Sequence, residues 1–447
     1  MLNILYLYNA TQTYTNTVFE HIAAFSKYSR HRTFFCHQDP NSELQLDLAR
    51  FDVVVIHFSI RLPYDQLSPS TASTLTRFKG LKVLFIQDEY DHTHRAWYWI
   101  NALGLQLVFS VVPQPGMDRV YPPGNFPNTR FVGNLTGYVP DDLRLKPDTI
   151  APSNRSLIVG YRGRPLPIRY GRLGIEKVEI GKMVKAYCDA HGVETDIAWT
   201  EGTRIYGGQW YQFMVSCRSM LGSESGSNVF DWDGTLVERI AQFRKQNPKA
   251  DDDLVYANFV RSEEIDGIMN QVSPRVFEAI AAKTVLVLFE GDYSSVVQAG
   301  EHFIPVRKDG SNLGEVVALL HDGDYVNAMA ERAYRDVIAS GKYSYRTFAG
   351  MVDDEIEHSA GKLELQSAAG SVQEVVERGY ETHSSITTAP IRARPPRPST
   401  DTLVHTVAGA RGSMDLGWRF ASYLWWKLPE SARRFLKPRL KKMLGRG

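Results

Sequence analysis

Apolar runs alternate with amphipathic stretches along most of the chain, and the two kinds of segment come in two successive series. Residues 1–8, 51–58 (FDVVVIHF), 81–87 (LKVLFIQ) and 105–112 are rich in Val, Ile, Leu and Phe without polar alternation. Such runs are what strands covered on both faces of a parallel sheet require. Helical patterns lie between them, up to Ala24 and over 95–103. A second series begins with strands at 156–161, 194–200 and 218–222, interleaved with helices at 176–191 and 206–217. It continues with a helix at 275–282, a buried strand at 284–289, and closing helices at 315–320 and 325–338. Strands alternating with helices predict right-handed parallel crossovers. The fold class expected is therefore α/β, with two Rossmann-like units facing a cleft. Residues 1–150 form the first unit, ending in a Pro-, Gly- and Asn-rich stretch, and 151–383 the second.

Beyond residue 383 the pattern changes. Residues 384–412 are polar, basic and Pro-rich, which predicts a disordered linker. Residues 413–447 mix Trp418, Trp425 and Trp426 with Arg433, Arg434, Lys437, Arg439, Lys441 and Lys442. Tryptophans beside a run of cations are what a helix lying on an anionic membrane surface needs. The net charge of the 447 residues is only +1, so this basic tail is offset by an acidic body and no nucleic-acid partner is expected. Three widely separated cysteines suit neither a disulfide framework nor a zinc site. The N-terminus lacks the basic start of a signal peptide, and no apolar run approaches the roughly 20 residues of a membrane helix. A cytoplasmic protein, peripheral on the inner face of the membrane, is expected.

Candidate chemistry gathers at predicted strand ends. Residues 273–295 place Ser273, Arg275 and Glu278 on a short helix, then a buried strand, then Asp292 and Tyr293 at its C-terminal end, where open α/β sheets bind ligands. Arg275 and Glu278 are three apart and share a helix face, as a ligand site or as a surface ion pair. The sequence RGRPLPIRYGRLG follows the strand at 156–161 and carries Arg162, Arg164, Arg169 and Arg172 among glycines. With the N-terminus of the next helix, which holds Lys177, it is the candidate phosphate site. Glu224 lies in the polar turn SESGSN. The following FDWDGTL matches a phosphatase signature with Asp231 and Asp233, but no strongly apolar strand precedes it, so that reading is set aside. QDEYDHTHR at a strand end of the first unit supplies Asp88 and His92 as candidates for a general base. His57 ends another strand and reads as a satisfied core histidine. No metal site is expected.

Together these features resemble a GT-B glycosyltransferase. The second half is most similar to the group 1 family, in its spore-maturation CgeB-like branch, through R-x-F-E-A-x-A at Arg275, Phe277, Glu278, Ala279 and Ala281. The resemblance implies a nucleotide-diphosphate sugar as donor substrate and no cofactor. It also implies Glu278 on the ribose and Arg162 or Arg164, with Lys177, on the diphosphate. The acceptor, a glycan or lipid-linked molecule of cell-surface polysaccharide synthesis, would bind the first unit. Group 1 enzymes carry another glutamate eight positions before the helix glutamate. Here that position is Asn270, and Glu224 is the residue expected to take its place. A nucleotide-sugar epimerase or hydrolase of the same fold, or a non-catalytic membrane-surface protein, are the alternatives.

Overall fold

The structure is a computed structural model that describes residues 1–10, 16–44, 46–141, 143, 150–363 and 386–388. The first series comprises β1 (Asn3–Tyr8), α1 (Asn16–Tyr28), β2 (Arg32–His37), β3 (Val53–Ile56), α2 (Pro69–Arg77), β4 (Leu81–Ile86), α3 (Thr93–Leu103), β5 (Leu107–Ser110), α4 (Gln114–Val120) and β6 (Arg130–Gly133). The second opens with β7 (Leu157–Arg162), α5 (Gly171–Ala190), β8 (Thr195–Ala198), α6 (Gly208–Ser216) and β9 (Cys217–Gly222). After α7 (Thr235–Gln246) and α8 (Asp252–Val255) come α9 (Pro274–Ala281), β10 (Val285–Phe289) and β11 (Phe303–Val306). Helices α10 (Leu313–His321), α11 (Gly323–Ala333) and α12 (Tyr345–Ala360) and the short β12 (Ile386–Thr387) complete it.

The first sheet has the order β12-β2-β1-β3-β4-β5-β6, parallel except for β12, and the second has the parallel order β11-β10-β9-β7-β8. The fold is thus α/β with two Rossmann-like layers, as the hydrophobic pattern predicts. Every residue of β3, β4, β5 and β10 is buried, because helices cover both faces of each sheet. In each sheet the strand order reverses beside its first strand, between β1 and β3 and between β7 and β9. At such a switch point adjacent loops diverge to opposite faces and leave a crevice at the strands' C-terminal ends.

Helix α12 belongs to the second series by sequence but packs on the first sheet. Its Tyr345, Phe348, Val352 and Ile356 recur at helical spacing and join Tyr6, Phe25, Phe85 and Phe109 in one buried cluster. His21 and His57 are enclosed there. The Ser59 N–H donates to His57 Nδ1 at 3.1 Å, so the His57 proton sits on Nε2 and is donated to His21 Nδ1 at 3.0 Å. Burial lowers both imidazoles, His21 to about 3. The predicted linker also departs from expectation at one point: Ile386–Thr387 pairs antiparallel with Phe35 and Cys36 at the edge of the first sheet. The tail assigned to the membrane surface, 413–447, lies outside the described residues. Among the described residues no helix is long and apolar enough to cross a membrane.

Glu89, just past β4, is fully buried; its Oε1 accepts from Ser110 Oγ at 2.6 Å and the Val111 N–H at 3.2 Å. Burial pushes its carboxyl up to about 8. The folded protein therefore keeps Glu89 protonated where the unfolded chain ionises. Its contribution is present below pH 4.5 and lost as pH rises toward 8. The histidine pair works oppositely, its contribution being lost as pH falls from 6.5 toward about 3. The prediction is that Glu89→Gln, which mimics the neutral acid, gains stability over the parent as pH rises from 5 to 8, by about 1 kcal/mol per pH unit. Denaturant melts across that range test it; a difference independent of pH would contradict it.

Candidate active site

A cavity of about 250 Å³ opens at the switch point of the second sheet, between the ends of β7 and β9. Its floor is apolar, formed by Tyr161, Leu221, Val276 and Leu288, and its polar groups are Arg164, Lys177, Trp210, Ser223, Ser273 and Arg275. Each element delivers its residue for a local reason. Arg164 follows β7 in a loop stiffened by Pro165 and Pro167. Lys177 projects from the second turn of α5. Ser273 caps α9, its Oγ accepting from the Arg275 N–H, with Pro274 at the first helical position.

The four arginines expected around phosphate separate sharply. Arg162 donates to Asp196 Oδ2 at 2.7 Å and to the Tyr161 and Asp196 carbonyls, and its guanidinium lies over Phe213. Arg169 pairs with Asp91 of the first series, and Arg172 with Glu179 at 2.8 Å. Only Arg164 is exposed, lines the cavity and has no hydrogen bond or ion pair among the described residues. The helix end expected to help is also occupied. Glu264 accepts the Arg172 N–H at 2.5 Å, and its second oxygen accepts from Tyr256 Oη at 3.0 Å. Gly171 at φ 66° makes room, since a Cβ there would come within 2.1 Å of the Glu264 carboxylate.

Lys177 donates to the Glu224 carbonyl and to Ser225 Oγ, each at 3.1 Å. Burial, and then the charge of Arg275, lower its ammonium to about 8. Glu224 is buried and fully engaged. Its Oε1 accepts the N–H groups of Tyr293 at 2.9 Å and Asp292 at 3.2 Å, and its Oε2 accepts from Asn270 Nδ2. The carboxylate thus stands beside Asn270, the juxtaposition expected from sequence, but it holds the turn after β10 and does not line the cavity. That turn is strained: Tyr293, Ser294 and Ser295 all have φ between 51° and 56°. Tyr293, expected at the donor, is a core residue whose hydroxyl donates to the Phe289 carbonyl at 2.7 Å. Asp292 caps its own turn through the Ser295 N–H at 3.0 Å.

Arg275 and Glu278 do not pair with each other; both meet Trp210, a residue the sequence did not single out. The Arg275 guanidinium lies 5.3 Å from the indole centroid and donates to the Arg162 carbonyl at 2.7 Å. Trp210 Nε1 donates to Glu278 Oε2 at 2.8 Å, leaving Oε1 without a partner among the described residues. Burial raises the Glu278 carboxyl. The only sequence signal for Trp210 is its place two residues past Gly207-Gly208.

Asp88 and His92 have no hydrogen bond, ion pair or ring contact with Glu224 among the described residues. Asp88 accepts from Tyr90 Oη at 2.7 Å and faces Arg61 at 3.5 Å. His92 begins α3 in a left-handed conformation, its ring edge-on to Tyr64. Between them Asp91 accepts from Tyr64 Oη at 2.6 Å and pairs with Arg169. Segment 223–272 docks on this part of the first series. The Asp231 N–H donates to the Tyr90 carbonyl, the His94 N–H to the Trp232 carbonyl and Gln271 Nε2 to the Val111 carbonyl. Phe230, Ile268 and Met269 enter the first sheet's outer core. Within FDWDGTL, Asp231 accepts the N–H groups of Leu236 and Val237, and Asp233 that of Thr235; both carboxylates hold the first turn of α7. No group of three or more His, Cys, Asp or Glu side chains among the described residues could hold a metal.

No family model matches the chain, and no curated protein matches it. Solved structures do. An alpha-glucosyltransferase in complex with UDP-glucose and DNA containing an abasic site is 10% identical, with a TM-score of 0.48 over 79% of this chain and 98% of that one. Anabaena Alr3699/HepE in complex with UDP-glucose is 12% identical, with a TM-score of 0.47 over 81% and 100%. The pneumococcal O-GlcNAc transferase GtfA, in complex with UDP and GlcNAc, is 12% identical, with a TM-score of 0.35 over 69% and 56%.

Proposed function

We propose that this chain is a glycosyltransferase that moves a sugar from a nucleotide-diphosphate sugar to a hydroxyl of a glycan or lipid-linked acceptor. One observation carries the reading: Arg164, Lys177 and Arg275 converge on the crevice at the second sheet's switch point, and Arg164 has no carboxylate partner among the described residues. Negative charge grows on the diphosphate as the glycosidic bond breaks, and fixed cations in a partly desolvated crevice stabilise that charge without a metal. Glu278 Oε1 takes a ribose hydroxyl, oriented by the bond from Trp210 to Oε2, and Ser273 adds a hydroxyl at the mouth of the cavity. The R-x-F-E-A-x-A segment that suggested the group 1 family supplies Arg275 and Glu278. Glu224 positions; it does not react. Asp88 and His92 are the groups of the first unit proposed to accept the acceptor's proton. The basic tail would hold the enzyme on an anionic membrane, where a lipid-linked acceptor of polysaccharide synthesis resides.

Thermal shift against UDP-, GDP- and ADP-sugars should identify a stabilising donor. Arg164→Ala should then weaken binding about tenfold, as loss of a charge-assisted contact does, whereas Arg162→Ala should lower melting temperature more than affinity. If no nucleotide sugar stabilises the protein, or Arg164→Ala binds as the parent does, the donor site is misassigned. Donor affinity should also fall as pH rises through about 8, where Lys177 loses its proton; affinity unchanged from pH 7 to 9 would contradict Lys177 as a charged ligand. Deleting residues 389–447 should release the protein from anionic vesicles, and retained binding would refute the membrane role.

A further inference from the structure

The loop that carries Arg164 is held from the other sheet. It runs from Gly163, whose N–H donates to the Ala198 carbonyl at 2.8 Å, to Tyr170. Pro165 and Pro167 remove backbone freedom between its ends. At its far end Arg169 and Tyr170 both reach Asp91, which also accepts from Tyr64. The Arg169 guanidinium lies over the Tyr170 ring, 4.1 Å from its centroid, and Tyr90 packs edge-on against the same ring at 5.3 Å. The Asp91 side chain is only 3% exposed, so the pair is desolvated and breaking it leaves a buried charge unmatched. Four residues, two of them prolines, separate Arg164 from Arg169, and a stiff loop transmits the position of one to the other.

We propose that Asp91, in the first unit, is a positioning residue for donor binding in the second: through Arg169 it fixes the loop that aims Arg164 into the crevice. The proposal rests on the donor-site reading above. Its consequence is that the two units are coupled at the loop that meets the diphosphate, so a change at the acceptor side near Tyr64 and Asp91 is felt in donor affinity.

A double-mutant cycle tests it. UDP, GDP, ADP and inorganic pyrophosphate are titrated calorimetrically into the parent, Asp91→Asn, Arg164→Ala and the double variant, each first shown by circular dichroism to be folded. Asp91→Asn should weaken diphosphate binding about fivefold or more. Arg164→Ala should cost far less in the Asp91→Asn background than in the parent, because the guanidinium has already lost its place. A purely structural role for Asp91 would lower the melting temperature and leave the two effects independent, which would overturn the proposal. If Arg164→Ala has no effect in the parent, the donor-site reading itself fails, a result distinct from independence. Should Asp91→Asn not fold, Tyr64→Phe and Arg169→Lys replace it: coupling of either to Arg164→Ala supports the proposal, and independence of both refutes it.

Discussion

A carboxylate taken out of water has to be met by donors, and this constraint shapes the cleft. Glu224, Asp91, Glu176 and Glu264 lie at or around the second sheet's switch point, the first three of them buried. Each is answered: Glu224 by two backbone N–H groups and Asn270, Asp91 by Arg169 and two tyrosines, Glu176 by Lys308 at 2.6 Å, Glu264 by the start of α5 and Tyr256. Leaving any of the three buried ones unmatched would cost about 3–5 kcal/mol, a large part of a domain's net stability. The basic groups nearest these carboxylates are therefore engaged in holding loops. What is left facing the crevice is Arg164, with Lys177 and Arg275 beside it.

The two sheets are joined through side chains as well as through the chain itself. Helix α12 returns to cover the first sheet, and segment 223–272, inserted after β9, packs its apolar residues into the first sheet's outer layer. The groups around the crevice are consequently preset by contacts that exist without a ligand. Preorganised charge is the form of electrostatic stabilisation that a departing diphosphate uses best, since little reorganisation accompanies bond cleavage.

Much of the frame was legible in the sequence because a strand buried on both faces leaves a plain signal. The runs FDVVVIHF and LKVLFIQ and the stretch around β10 each gave a strand. The signal failed where strands are short or mixed: β2 (RTFFCH) begins with two polar residues, and β11 (FIPV) contains a proline. Helix α5 starts five residues earlier than periodicity suggested, because its first turn is held by Glu264, 92 positions away from Arg172. Candidate residues were legible as types at strand ends but not as partners. Nothing in the spacing of four arginines says that Arg169 will meet Asp91, 78 positions distant, while Arg164 has no hydrogen bond or ion pair among the described residues. The same limit hid Trp210, whose importance lies in touching both Arg275 and Glu278.

The proposed position of the diphosphate is at the end of β7 and β9, against Arg164. A crystal structure of the protein with a bound nucleoside diphosphate tests this most directly. The account predicts phosphate oxygens within hydrogen-bond reach of the Arg164 guanidinium and Lys177 Nζ, with Arg169 still paired to Asp91. A nucleotide bound at the first sheet, or held by Arg162 or Arg169 after release of their carboxylate partners, would contradict it.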